Sequence, residues 1–152
     1  MLSWVSLPFD ELSTHQLFDV LKLRVDVFVV EQECAYPELD EKDRHPETRH
    51  LMGFSGQDLV AYARVIPPGL SYESSSIGRV VTAAKARRIG TGKVLLKEAI
   101  GLCETLWPNN DIEIGAQEYL LGFYQSFGFS PSSSVYLEDG IPHLDMKKIT
   151  TR

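Results

Sequence analysis

The spacing of apolar residues along the chain alternates between a helical period and a strand period. Between Ser13 and Val30, apolar side chains recur every three or four positions, which predicts a helix with one buried face. The residues from Ser13 to Gln16 have capping-box spacing, so this helix is expected to begin there. The same period predicts a long amphipathic helix over residues 90–106 and a shorter helix over residues 119–127.

Short runs rich in β-branched and aromatic residues, bounded by turn residues, predict strands between these helices. Residues 55–58, Ser-Gly-Gln-Asp, separate two such runs and indicate a hairpin. The segment 31–47 is acidic and contains two prolines, so it is expected to form a loop with room for one helical turn. The predicted strands are residues 2–7, 50–54, 59–66, 75–82, 111–116, 130–136 and 143–149. Together these elements predict a single α/β (α+β) domain over residues 1–152, with helices flanking a mixed central sheet.

Composition places the chain among ordinary globular domains. It has 152 residues, of which 43% are hydrophobic and 24% are charged, enough to bury one substantial core. The formal net charge is −6. This charge argues against general nucleic-acid binding, because that function requires a basic face.

The sequence lacks the features that direct a chain to a membrane, to an oxidising compartment or to a metal. Its first residues have neither the basic nor the long apolar region of a signal peptide, and no apolar run approaches the length of a membrane span. Cys34 and Cys103 have neither ligand spacing nor the spacing of a redox pair. His45 and His50 lie on a loop-to-strand stretch without the rigid geometry of a zinc site. We therefore expect a cytoplasmic protein without membrane contact and without a bound metal.

Positive charge is concentrated around one glycine-rich segment. Residues 79–97 contain six basic side chains and no acidic ones. Within them, residues 87–93 (Arg-Arg-Ile-Gly-Thr-Gly-Lys) join a predicted strand to a predicted helix. Free N–H groups at the start of a helix, the helix dipole and flanking cations all favour a bound phosphate group. The segment therefore predicts a phosphorylated cofactor, and the alternative interpretation is a solvated basic helix face.

Two motifs in the second half of the chain resemble those of a known enzyme family. The pattern Arg-x-x-Gly-x-Gly at residues 87–92 resembles motif A of the GNAT N-acetyltransferases. Residues 122–129, Gly-Phe-Tyr-Gln-Ser-Phe-Gly-Phe, resemble the Phe-Tyr-x-x-x-Gly-Phe signature of the same family. Residues 23–32 and 139–143 resemble the ElaA-like branch, so the resemblance spans nearly the whole chain. One departure is Arg88, since the family often has glycine at this position.

The resemblance implies a fold and a co-substrate. The fold would be the GNAT fold, whose mixed, mostly antiparallel sheet splays apart between the strands around 75–82 and 111–116. Acetyl-CoA would bind with its pantetheine arm along Val80, Val81 and Thr82, much as an added strand would. The residues implied to hold its pyrophosphate are Arg87, Arg88, Ile89, Gly90, Thr91, Gly92 and Lys93.

The resemblance also implies a catalytic acid. Tyr124 matches the family's tyrosine, which protonates the leaving thiolate; the alternative is an aromatic residue packed between Phe123 and Phe127. The general base is predicted to be Glu31, because the end of the first helix borders the acceptor cleft in relatives. The other bases that the sequence offers are Glu33, Glu38, His50 and His143.

These expectations combine into one predicted function. The chain would transfer an acetyl group from acetyl-CoA to a small-molecule or peptide primary amine by direct attack, without a covalent enzyme intermediate. The acidic segment 31–47 would attract a cationic acceptor, although a solvated acidic loop would have the same composition. A non-catalytic acyl-CoA-binding sensor or interaction module is the alternative from another class, and Tyr124 favours the enzyme. A homodimer is possible, as in many relatives.

Overall fold

The computed structural model describes residues 2–150, in which eight strands form one open sheet with helices on both faces. The strands are β1 Ser3–Leu7, β2 Arg49–Ser55, β3 Asp58–Ile66, β4 Ser75–Thr82, β5 Ile112–Gln117, β6 Ser130–Pro131, β7 Tyr136–Glu138 and β8 Ile141–Lys148. The α-helices are α1 Thr14–Arg24, α2 Thr91–Leu106 and α3 Leu121–Gln125. The predicted hairpin at residues 55–58 joins β2 to β3.

The sheet has the strand order β1-β2-β3-β4-β5-β8-β6, and β7 pairs with β8. Within the described residues every pairing is antiparallel except that of β4 with β5. These two strands pair only at Ser75 with Ile112 and at Ser76 with Glu113. Beyond that point they diverge, which confirms the mostly antiparallel sheet splayed between the two predicted strands.

Alternate residues of the central strands point to opposite faces of the sheet, and helices cover both faces. On β3, Ala61, Ala63 and Val65 pack with the apolar face of α2. The intervening residue Tyr62 packs on the other face with Val20 of α1. The helices therefore fix the central strands, and with them the point at which β4 and β5 separate.

The first helix begins as predicted but changes its winding before it ends. The Ser13 hydroxyl accepts from the Gln16 N–H at 3.0 Å, and the Gln16 side chain accepts from the Ser13 N–H at 2.9 Å, which completes the capping box. After Arg24 the chain continues as a π-helical stretch, Val25–Glu31. This stretch contains four valines, whose β-branched side chains crowd the preceding turn of an α-helix.

The structure corrects three predicted elements near the carboxyl end. The strand predicted at 130–136 is two short strands, β6 and β7, because Pro131 has no N–H for a continuing ladder. The strand predicted at 143–149 begins earlier, at Ile141. The helix predicted at 119–127 is the short α3, preceded by a 3₁₀ turn at Glu118–Leu120.

The single helical turn expected in the acidic segment is a 3₁₀ turn at Glu41–Arg44.

Candidate active site

A cleft of about 510 Å³ opens where β4 and β5 separate. Its walls include the second half of β4, the end of β5, the π-helical stretch and the β7–β8 turn. Pairing with β5 stops after Ser76, so the edge of β4 that faces the cleft has no partner strand from Ile77 onward. A strand edge of this kind offers backbone donors and acceptors to an extended ligand.

A β-bulge in β4 re-aims the backbone at this position. Tyr62 and Arg64 on β3 pair with Val81 and Gly78 on β4, so β4 contains one residue more than its partner. Arg79 lies in the bulge with a φ of +51°, a left-handed conformation that non-glycine residues seldom adopt. Bulges bend a strand and increase its local twist. The bulge therefore bends β4 beside the cleft, while Val81 and Thr82 at its end remain paired with β3.

The predicted cofactor-binding residues fall into two groups. Val80, Val81, Thr82 and Arg87 line the cleft itself. The others, Arg88 to Lys93, form the turn after β4 and the first turn of α2. The N–H of Val94 makes the first intrahelical bond, to the Gly90 carbonyl at 3.2 Å. The N–H groups of the three residues before Val94 therefore lie at the open end of the helix.

Two left-handed residues shape this turn. Gly90 is the N-cap of α2 and has a φ of +83°, which explains the need for glycine there. Arg88 has a φ of +68°, also in the left-handed region. Many members of the family have glycine at this position, which suits the left-handed conformation. In this chain an arginine adopts that conformation.

The basic residues of the sequence segment 79–97 have different partners in the fold. Arg79, in the bulge of β4, pairs with Glu38 at 3.0 Å. Lys85 pairs with the exposed Asp58 at 2.8 Å. Within the described residues, Arg88, Lys93 and Lys97 have no side-chain ion pair or hydrogen bond. The positive charge that remains for an anionic ligand is therefore smaller than the sequence indicated, and it lies around α2.

Tyr124 lies on α3 with its ring against Phe123 and Phe129, in edge-to-face contacts at centroid distances of 5.3 and 6.0 Å. The residue is 6% exposed and lines the cleft. Burial raises the pKa of its phenol to about 12, with a smaller contribution from Tyr119. In the part of the chain that the structure describes, the Tyr124 hydroxyl has no hydrogen-bond partner. Tyr124 is thus both a packed aromatic residue and a protonated phenol at the cleft.

Glu31, the base predicted from the sequence, also lines the cleft but is paired with the motif arginine. Its carboxylate accepts from Arg87 Nη1 at 2.8 Å, and Arg87 Nη2 donates to the Thr82 carbonyl at 3.2 Å. The end of the π-helical stretch is thereby joined to the end of β4. Within the fold, the side chain of Glu31 lies beside the proposed phosphate-binding group rather than apart from it.

Three of the seven carboxylates in the acidic segment 31–47 are paired in one cluster. Glu38 and Asp43 are buried, and Asp40 lies beside them at the edge of the cluster. Three arginines from α1, β3 and β4 neutralise these three carboxylates. The ion pairs join Arg24 to Glu38 and Asp43, Arg64 to Asp40 and Asp43, and Arg79 to Glu38 and Asp40. For Glu38 and Asp43 both composition-based interpretations were therefore wrong, because these two carboxylates are buried and paired with arginines.

His50 belongs to the same buried cluster. The Tyr62 hydroxyl lies 2.7 Å from its Nδ1, and its Nε2 lies 2.9 Å from the Asp43 carbonyl oxygen. A carbonyl can only accept, so Nε2 carries the proton and Nδ1 accepts from Tyr62. Burial lowers the pKa of His50, and the bond to the Asp43 carbonyl only partly offsets this effect. His50 is therefore a neutral structural residue.

We expect His50 to make the protein less stable as the pH falls. Its folded pKa is below the unfolded value of about 6.5, so the unfolded chain binds the extra proton. The stability is fully present above that value and decreases below it by up to about 1.4 kcal/mol per pH unit. The free energy of unfolding, measured with urea between pH 7.5 and 5, should change less with pH in His50→Gln than in the wild type. His15→Gln, at an exposed histidine of α1, should retain the wild-type slope; equal slopes in all three proteins would contradict the prediction.

Sequence reasoning missed a side-chain cluster of which one member, Tyr72, lines the cleft. The hydroxyls of Tyr72 and Tyr136 both donate to Asp145 Oδ1, at 2.9 and 2.7 Å. Burial and these bonds raise the pKa of both phenols. A Cβ at Gly115 would lie 3.2 Å from each hydroxyl, so glycine leaves space for the pair. The strand alternation of residues 141–148, which places His143 and Asp145 on one face of β8, was the available signal.

Residues 2–150 contain neither a membrane-spanning helix nor a cluster of metal ligands. No helix there is long and apolar enough to cross a bilayer. No group of three or more histidine, cysteine, aspartate or glutamate side chains in that range is arranged to hold a metal ion.

Comparison with known proteins identifies the family. The acetyltransferase (GNAT) domain family matches residues 20–150. The chain is 42% identical to the protein ElaA of Escherichia coli over 148 residues, 97% of each chain. The crystal structure of ElaA superposes with a TM-score of 0.91 at 41% identity, over 97% of this chain and 99% of that one.

Solved structures of other acyltransferases share the fold. An acyl-CoA N-acyltransferase from Pseudomonas aeruginosa has a TM-score of 0.93 at 38% identity, over 97% of this chain and 99% of that one. PaiA N-acetyltransferase from Thermoplasma acidophilum, solved in complex with coenzyme A, has a TM-score of 0.68 over 99% of both chains. At 12% identity the PaiA likeness concerns the fold alone. The splayed sheet, the match to the family and the identity to ElaA together establish that this chain belongs to the GNAT acetyltransferases, in their ElaA-like branch.

Proposed function

We propose that this chain transfers an acetyl group from acetyl-CoA to a primary amine, by direct attack of the amine within a ternary complex. Membership of the GNAT family supports acyl transfer in general. The observation that carries the narrower proposal is the cleft at the divergence of β4 and β5, because an unpaired strand edge, Arg87 and Tyr124 all line it.

The residues of the cleft fit an extended thioester with a phosphate group at one end. Acetyl-CoA would supply the activated acyl group. Backbone groups from Val80 to Thr82 would pair with its amide-containing arm, as strands pair with one another. The pyrophosphate would lie on Arg87 to Lys93, where the first N–H groups of α2 are open and Arg88 and Lys93 have no ion partner among the described residues.

Tyr124 would act as the acid. When the amine nitrogen bonds to the carbonyl carbon, the carbon–sulfur bond breaks and the Tyr124 hydroxyl gives its proton to the departing sulfur. A phenol whose pKa is about 12 carries this proton at neutral pH. The prediction that Glu31 is the base stays open, and its pairing with Arg87 supports a further part for it in holding that arginine.

We expect Gly92→Ala to separate cofactor binding from folding. Gly92 has no positive φ, and an added Cβ would lie 3.9 Å from Phe123 Cζ, an ordinary contact. Alanine should leave the free energy of unfolding unchanged or raise it by up to about 1 kcal/mol, because it is the better helix former. If a phosphate approaches this backbone, however, the added methyl group should raise the Kd of acetyl-CoA about tenfold.

Gly101→Ala is the matched control for this measurement. Gly101 lies later in α2, is exposed, and an added Cβ there would meet nothing within 4 Å. Its substitution should change stability in the same direction without changing the Kd in titration calorimetry. Equal affinity of all three proteins for acetyl-CoA would contradict the phosphate site at this turn.

The activity itself is tested by release of free thiol from acetyl-CoA with a panel of amines: putrescine, spermidine, lysine methyl ester, kanamycin and a peptide with a free amino terminus. Transfer to at least one of them, confirmed by the mass of the product, would support the enzyme. Tight binding of acetyl-CoA by a folded protein that acetylates none of them would favour the alternative, an acyl-CoA-binding module. Isovaleryl-CoA in place of acetyl-CoA tests the acyl group in the same assay.

A further inference from the structure

We propose that His143 is the general base of this reaction, taking the proton from the ammonium group of the acceptor, and that Glu138 stabilises the imidazolium that forms. The proposal rests on the proposed function, since it names the residue that prepares the amine for attack.

His143 lies on β8 between two other strands of the cleft wall. Its Cα partners are Gln117 on β5 and Tyr136 on β7. The residue is 8% exposed, and both His143 and Tyr124 line the cleft. A base and an acid therefore border the same space, which is the arrangement that amine attack followed by thiolate departure requires.

One hydrogen bond fixes the tautomer of His143. Nδ1 lies 2.7 Å from the carbonyl oxygen of Ile141. Because a carbonyl can only accept, Nδ1 carries the proton and Nε2 of the neutral ring carries a lone pair. That Nε2 is the nitrogen available to take a proton.

Glu138 faces the same nitrogen. Its Oε2 lies 3.5 Å from His143 Nε2, and its side chain is 59% exposed. With neutral His143 this places two acceptors next to each other without a donor between them. The N–H groups of a cationic amine complement such a pair, and once Nε2 is protonated the carboxylate forms an ion pair with the ring. The site therefore suits an alkylammonium acceptor.

The surroundings hold the imidazole in this orientation. The ring of Tyr136 stacks on it at a centroid distance of 6.2 Å and an interplanar angle of 20°. Tyr136 is in turn held by its hydrogen bond to Asp145. The charged and titratable groups on the elements around His143 are Glu138, Asp139, Tyr136, Asp145, Tyr72 and, beside the Asp139 carbonyl, Cys34. These contacts hold the imidazole beside Glu138.

The protons balance along this route. The ammonium group loses one proton to His143 Nε2, and the free amine nitrogen then bonds to the thioester carbon. The carbon–sulfur bond breaks, and Tyr124 protonates the sulfur. The second proton of the attacking nitrogen is lost to solvent as the amide forms, His143 releases its proton to solvent, and Tyr124 regains one. Glu31 takes no part in this sequence and remains with Arg87 near the cofactor end.

The test compares His143→Gln, Glu31→Gln and His15→Gln with the wild type, using acetyl-CoA and the fastest amine of the panel described above. We expect His143→Gln to lower kcat/KM about 100-fold at pH 7. The decrease of kcat/KM at low pH should also be smaller in His143→Gln than in the wild type, because the variant lacks the base that protonation would inactivate. The Kd of acetyl-CoA and the melting temperature show whether the variant is folded. His15→Gln should match the wild type, because His15 is exposed on α1.

Two further measurements distinguish a base from a positioning residue. Imidazole added to the buffer should restore part of the activity of His143→Ala, which a residue that only supports packing would not allow. Glu138→Gln, an exposed substitution that does not threaten folding, should lower kcat/KM about fivefold, the order of one partly exposed charge pair.

The contrary outcomes are separable. A His143→Gln variant with the wild-type pH profile, only scaled, would overturn the assignment while leaving the acetyltransferase in place. The same holds if Glu31→Gln, and not His143→Gln, changes the profile. A folded wild type that binds acetyl-CoA but acetylates no amine of the panel would overturn the proposed function, and the base with it.

Discussion

Replacement of Tyr124 by phenylalanine is expected to lower kcat about 100-fold, the order that a positioned acid contributes. The substitution removes the hydroxyl that is proposed to protonate the leaving sulfur. The ring contacts with Phe123 and Phe129 would remain, so folding should be unaffected. Because the phenol is not expected to bind the ground state, the Kd of acetyl-CoA should stay within about twofold. Steady-state kinetics and titration calorimetry measure the two quantities.

Tyr119→Phe provides the comparison for this experiment. Tyr119 precedes α3 and is 74% exposed, and it lines the same cleft. A loss of turnover in Tyr119→Phe with full activity in Tyr124→Phe would move the acid to the exposed residue. Full activity in both would return Tyr124 to a packing role and leave the thiolate to be protonated by water.

The second large effect concerns the buried charge cluster. We expect Arg24→Met to lower the free energy of unfolding by at least about 3 kcal/mol, because removal of one member leaves buried charge uncompensated. Arg24 is fully buried and pairs with Glu38 and Asp43. Three arginines face three carboxylates in this cluster, so the variant retains one excess negative charge there. Denaturant unfolding at pH 7.5 measures the loss.

Lys22→Met on the same helix is the matched control. Lys22 pairs with Asp26 one turn later, and the side chains of both are more than half exposed. Such pairs contribute at most about 0.5 kcal/mol, so this variant should be close to the wild type. Equal stability of the Arg24 and Lys22 variants would show that the buried cluster contributes little to the fold.

The same cluster adds a pH dependence of known sign. The Arg24 and Arg64 guanidiniums hold the pKa of Asp43 below its ordinary range, against the effect of burial. A folded pKa below the unfolded one contributes stability that is present above about pH 3.9 and is lost as the pH falls further. The free energy of unfolding should therefore decrease further at low pH because of Asp43, in a pH range below the one in which His50 contributes.

Local patterns predicted most of the elements. The capping box at Ser13, the hairpin at residues 55–58 and the strand, turn and helix around Gly90 are where the sequence places them. Each depends on a few neighbouring residues, because helix starts, tight turns and side-chain periods are set by local backbone geometry. The family resemblance then supplied the one long-range feature, the splay of β4 from β5.

The pairing of charges could not be obtained in that way. Arg79 was counted with the basic residues before α2, yet a bulge turns it towards Glu38. Arg87 and Glu31 are 56 residues apart and meet because the π-helical stretch ends over β4. Charge along a sequence says nothing about partners, since an ion pair depends on which elements the fold makes adjacent.

The two proposed catalytic residues differ in the same way. Tyr124 could be named from its motif, since the spacing of Phe, Tyr and Gly is itself local. The sequence favours Glu31 as the base and offers His143 only among the alternatives. His143 is proposed because β8 lies between β5 and β7, which brings Glu138 and the Ile141 carbonyl to the two ring nitrogens. The residues alone thus determine the elements, the phosphate-type turn and the family. Which histidine lies in the buried charge cluster and which lines the cleft is decided by the packing of strands distant in sequence, because burial and hydrogen-bond partners are properties of the assembled sheet.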